Sequence, residues 1–116
     1  MRNRMIAGNW KMNKTFTEGV VLAQGLVREL EGGTGDVDVV VCPPTVDLKG
    51  VSEVIEQEGA PFSLGAQNVY FEESGAYTGE TAPDMLVGIG ATHCIIGHSE
   101  RRGYFGETDE DVNRKA

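Results

Sequence analysis

The feature that most restricts this chain is an alternation. Four short apolar runs are each followed by a stretch with helical periodicity or a helix-opening signal. Met5–Asn9 is the first apolar run. Thr15-x-x-Glu18 then reads as a capping box, and Val20, Ala23, Val27 and Leu30 recur on one helical face until Gly32-Gly33. Val37–Cys42 is β-branched and continuous, as expected of a strand buried on both faces, and Pro43-Pro44 ends it. Leu48, Val51, Val54 and Ile55 form the next stripe, closed near Gly59. Phe62–Ala66 is the third run. A polar, Gly-rich loop follows it, and Thr81-x-x-Asp84 opens a helix with Pro83 in its first turn. His93–Gly97 is the fourth run, and Thr108-x-x-Asp111 opens the last helix. Strand and helix in strict alternation, without a hairpin signal, predict βαβ units and a parallel sheet, hence an α/β fold.

Residues 1–116 form one domain or a piece of a larger one. The final helix, counted as the fourth, has a start signal but no stop, so the chain is expected to end inside it, as half of a longer fold would. Periodicity leaves two architectures open: a doubly wound sheet, or part of a (β/α)8 barrel. Both gather functional residues at the carboxyl ends of their strands. That rule selects Asn9 and Lys11, Gln67 and Asn68, and His98 with Glu100.

Charge narrows the partners. Lys plus Arg number 10 against 18 Asp plus Glu, a net charge of −8 with no broad basic face, which argues against nucleic-acid binding. An anionic substrate would need local cations, and Lys11 is one. No apolar stretch reaches the ~20 residues of a membrane span, and the N-terminus does not read as a signal peptide. The two cysteines, Cys42 and Cys94, lie in apolar runs without metal-ligand spacing. Both are read as buried, reduced thiols, consistent with a cytoplasmic protein.

Each strand-end residue has a plain reading beside a chemical one. Lys11 is a solvated lysine or a fixed cation for a phosphate or oxyanion. Asn9 caps the strand end or faces the same site. His98 is structural or, set at the start of a short helix opened by Ser99 and Glu100, a histidine kept neutral for donating to a carbonyl. Glu100 is a first-turn residue or a carboxylate of the site. Arg101 or Arg102 is solvated or pairs with Glu80 across an interface. His93, at the other end of its strand, is read as structural.

The segments GNWKMN (8–13), CPPTVDL (42–48), LGAQN (64–68), SGAYTGE (74–80) and IIGHSERR (95–102), with FGETDEDVNRK after them, resemble the triosephosphate isomerase family in order and spacing over nearly the whole chain. The resemblance implies four parallel βα units, the N-terminal half of a (β/α)8 barrel. It implies interconversion of dihydroxyacetone phosphate and glyceraldehyde 3-phosphate through an enediol, in glycolysis and gluconeogenesis, with no metal or organic cofactor. By it, Asn9 and Lys11 contact substrate, His98 is the electrophile that polarises the carbonyl, and Glu100 is the supporting carboxylate. This enzyme is itself the usual illustration of a glutamate base working with a neutral histidine, so that pairing comes with the resemblance and not from spacing.

The resemblance also implies a homodimer of the intact enzyme, with the loop around Thr78 entering the neighbouring subunit and Glu80 and Arg101 assigned to that contact. The family's base, lid and later phosphate loops find no match here. The chain alone is therefore expected to be inactive, and its open strand edges to favour self-association. A non-catalytic half-barrel that serves only as an assembly module is the alternative. A flavodoxin-like domain is weaker, because GNWKMN lacks the glycines of a phosphate cradle.

Overall fold

The computed structural model describes residues 2–116. Four strands, β1 (Arg4–Asn9), β2 (Val37–Cys42), β3 (Ser63–Ala66) and β4 (His93–Cys94), form one sheet in the order β1-β2-β3-β4. Every neighbouring pair is parallel, with Ile6 opposite Val39, Val41 opposite Leu64 and Ala66 opposite Cys94. Sequential order with parallel pairing requires a crossover after each strand. The crossovers contain α1 (Phe16–Glu29), α2 (Leu48–Glu58) and α3 (Pro83–Gly88), followed after β4 by α4 (Ser99–Phe105) and α5 (Asp109–Lys115). This is the N-terminal half of a TIM barrel.

Local signals explain most boundaries. Thr15 caps α1 through the Glu18 N–H while the Glu18 carboxylate accepts from the Thr15 N–H, so the capping box is complete. A second box, Thr108 with Asp111, opens α5. Gly59 ends α2 in the left-handed conformation at φ 58°. Ala23 of α1 and Leu48, Val51 and Val54 of α2 pack with Val41, Leu64 and Ala66 of the sheet in one buried cluster. Each of the larger side chains contributes roughly 1.5–3 kcal/mol by leaving water. The helices approach closely because Gly50 has no side chain: a Cβ there would lie 2.7 Å from the Phe16 ring.

Four expectations are corrected. The third helix begins at Pro83 with Ala82 as N-cap, not at Thr81. The Thr81 carbonyl accepts the Tyr70 N–H at 2.8 Å, which ties Thr81 into the extended base of the loop. The fourth strand is His93–Cys94 rather than His93–Gly97. Its bonding to β3 continues only through the Ile95 N–H to the Ala66 carbonyl at 2.8 Å, because β3 ends there and Gly97 turns at φ 66°. Cys94 is exposed, whereas Cys42 is buried as expected. With α4 counted, the last helix is the fifth.

The outer elements show where the sheet is open. Met5 and Ile6 of β1 are 50% and 63% exposed, while Val40, Val41 and Cys42 of β2 are buried. β1 and β4 each pair on one side only among the described residues.

Candidate active site

Strand direction sets the geometry. All four strands point the same way, so the segments leaving Asn9, Cys42, Ala66 and Cys94 emerge at one end of the sheet. Asn9, Lys11, Gln67, Asn68, His98 and Glu100 all line one open depression of about 490 Å³ there.

Lys11 lies just past β1 with its backbone at φ 56°, a left-handed conformation that is strained for a residue other than glycine. Two side chains hold it. Asn9 accepts the Lys11 N–H through Oδ1 at 2.9 Å, and Gln67 donates from Nε2 to the Lys11 carbonyl at 2.8 Å. The same Gln67 nitrogen donates to the Cys42 carbonyl at 2.8 Å, joining the exits of three strands. Asn9 and Gln67 thus fix the loop that aims Lys11. Gln67 fell under the strand-end rule, but its part in holding Lys11 had no sequence signal, since it depends on the turned Lys11 carbonyl.

The ammonium of Lys11 meets Glu100 Oε1 at 2.7 Å. That hydrogen bond and charge raise the Lys11 pKa and lower that of Glu100. Both side chains remain about half exposed, at 54% and 41%, so the pair is screened by water and its partners can be exchanged for a ligand. His98 is the N-cap of α4, and its Nδ1 accepts the Glu100 N–H at 3.1 Å. An accepting Nδ1 leaves the ring proton on Nε2, available to donate to a ligand oxygen. A cation, a carboxylate and an imidazole donor therefore share one depression, an arrangement suited to stabilising negative charge on a bound oxygen.

Behind His98 stands a network that sequence reasoning missed. The buried Glu107 carboxylate accepts from the Gly97 N–H at 2.8 Å, from Arg101 Nε at 2.9 Å and from Lys115 Nζ at 2.6 Å. Lys115 also donates to Asn68 Oδ1 at 2.8 Å. Burial opposes ionisation of Glu107, but its hydrogen bonds to Lys115 and Arg101 outweigh it and hold the carboxyl at about 2. No local motif announces these contacts.

Thr78 and Glu80 lie on the exposed loop between β3 and α3. Tyr70 stacks on Phe71 at 4.3 Å and meets Tyr77 at 4.7 Å, while Arg114 lies over Phe71, so the loop is folded on itself. Arg101 is not joined to Glu80 within the chain: among the described residues it pairs with Glu107 and lies over the Phe105 ring at 5.2 Å. No group of His, Cys, Asp and Glu among the described residues is arranged to hold a metal ion. No described helix is long and apolar enough to cross a membrane.

Fold and site together define a half-barrel of the parallel (β/α)8 class, with a cation and an imidazole at the carboxyl ends of its strands. The family model described as triosephosphate isomerase matches residues 4–116, and the chain belongs to that family. A triosephosphate isomerase of Clostridium novyi is 55% identical over 117 residues, covering 99% of this chain and 44% of that protein. One from Clostridium botulinum is 57% identical over 117 residues, covering 99% and 45%. One from Herpetosiphon aurantiacus is 50% identical over 116 residues, covering 100% and 45%. The chain thus spans under half the length of these curated relatives.

Proposed function

We propose that this chain supplies the carbonyl-polarising half of a triosephosphate isomerase site and that the proton-abstracting half lies in sequence outside it. The observation that carries this reading is the convergence of Lys11, Glu100 and the Nε2 donor of His98 on one depression. In the reading, Lys11, with Asn9 holding its loop, binds the phosphorylated triose and offsets charge developing on the substrate. His98 donates from Nε2 to the carbonyl oxygen as it becomes an enediolate oxygen. Glu100 sets the resting position of Lys11 and, through its own N–H, the tautomer of His98. No organic cofactor or metal takes part in the reading, because proton transfer between adjacent carbons needs only a base and an oxyanion stabiliser.

The intact protein interconverts dihydroxyacetone phosphate and glyceraldehyde 3-phosphate, acts in the cytoplasm in glycolysis and gluconeogenesis, and is a homodimer. Thr78 and Glu80 enter its subunit contact, with Arg101 on the receiving side. The 116-residue chain by itself lacks a positioned base, a loss typically of 10²–10⁴ in rate, and loses lid closure besides. It associates with a second copy through its open strand edges. A coupled assay with dihydroxyacetone phosphate tests the reading: purified chain gives background turnover, and turnover near that of a complete family member refutes it.

A further inference from the structure

Outside the site itself, the buried carboxylate of Glu107 binds the segment that carries His98 from behind, its side chain only 3% exposed. The residue before His98 is clamped on both of its polar backbone atoms. The Gly97 N–H donates to Glu107 Oε1 at 2.8 Å, and the Gly97 carbonyl accepts from Arg102 Nε at 2.9 Å. Gly97 holds φ 66°, and a Cβ there would lie 2.9 Å from a methyl of Val112 in α5, so a side chain at this turn would be strained and would press on Val112. The two peptide planes around Gly97 decide the direction in which His98 leaves β4. They therefore decide whether its Nδ1 reaches the Glu100 N–H.

The opposite oxygen of Glu107 is anchored by Arg101 of α4 and Lys115 of α5, and Lys115 reaches on to Asn68 beyond β3. The carboxylate is thus held from two helices and presents its remaining oxygen to one backbone amide. We propose that Glu107 is a positioning residue for His98: through the Gly97 N–H it fixes the backbone that keeps the His98 proton on Nε2. The functional meaning of that proton rests on the isomerase reading above, but the geometric claim does not.

The test reads the ring and not turnover, so its failure is separate from failure of the isomerase reading. In the chain labelled with ¹⁵N, the imidazole nitrogens of His98 are expected at well-separated shifts, with Nδ1 unprotonated. His93, whose Nδ1 meets Thr92 Oγ1 at 2.8 Å at the other end of β4, serves as the internal reference. Glu107→Ala is expected to collapse the His98 separation toward a tautomer average and leave His93 unchanged. Lys115→Met removes an ion partner from the same network but leaves Oε1 on the Gly97 amide, and is expected to preserve the His98 separation. Unchanged His98 nitrogens in folded Glu107→Ala would overturn the proposal. So would equal collapse in both variants, which would make the network a general support. Should Glu107→Ala fail to fold, the unsubstituted chain decides: a Gly97 amide strongly protected from exchange upholds the clamp, and one exchanging like an open-loop amide removes it.

Discussion

Single residues carry the tension between burial and charge in this molecule. Asp47, in the turn before α2, is 1% exposed, and neither carboxylate oxygen has a hydrogen-bond partner among the described residues. Burial raises its pKa, with Glu18 adding to the rise. A carboxyl with a raised folded pKa contributes stability that is full below its unfolded pKa and is lost as pH rises through the folded value. Asp47→Asn, of nearly the same shape but without the charge, is therefore expected to raise stability relative to the unsubstituted chain more at pH 7 than at pH 4. Urea melts at the two pH values measure it. Lys11→Met makes a different test. Glu100 owes its lowered pKa chiefly to the Lys11 hydrogen bond, so its carboxyl should titrate higher in the variant, as read by ¹³C NMR. Asn9, Lys11, His98 and Glu100 were legible as strand-end residues. The grip of Gln67 on Lys11 and the contacts of Glu107 were not, because both depend on backbone atoms placed by the fold.

At the scale of elements, legibility followed local chemistry. Both capping boxes were readable because the residues that satisfy the free N–H groups lie three apart in sequence. Thr15→Ala should cost about 1 kcal/mol of global stability, since α1 lies on the core, measured by denaturant unfolding. The start of α3 and the end of β4 were misread. The Tyr70 to Thr81 backbone bond keeps Thr81 out of α3, and the end of β3 at Ala66 leaves β4 without further partners; apolar composition registers neither. The exposure of Cys94 follows from β4 being an outer strand, again a property of the sheet rather than of the HCIIG run. The docking of α5 should show acid sensitivity. Glu107, lowered from 4.5 to about 2, contributes stability that is present above about 4.5 and lost as pH falls toward 2. Amides of α5 should lose exchange protection in that window before those of α1.

The whole molecule is a parallel half-barrel sheet whose two outer strands pair on one side only among the described residues, with α1, α2 and α3 packed into its core. Parallel sheets are ordinarily covered on both faces, and β1 displays Met5 and Ile6 to solvent. The purified chain is therefore expected to associate, with β4 of one copy against β1 of another. Sedimentation at micromolar concentration should find a dimer or larger species, and a cooperative, strictly monomeric chain would count against it. The parallel α/β sheet was readable from the fourfold alternation; the half-barrel was not and came with the resemblance of the motifs, because the choice between an open sheet and a barrel lies in strand stagger that no local pattern encodes. Whether this chain holds the polarising half of an isomerase site, with the base outside it, is decided by complementation. The chain is mixed with the remaining segment of a family member, beside a His98→Gln version, and isomerase turnover is followed. Background rates are expected for either segment alone, with a gain on mixing and loss of that gain with His98→Gln. Full turnover by the chain alone, or a gain indifferent to His98, would refute this division of the site.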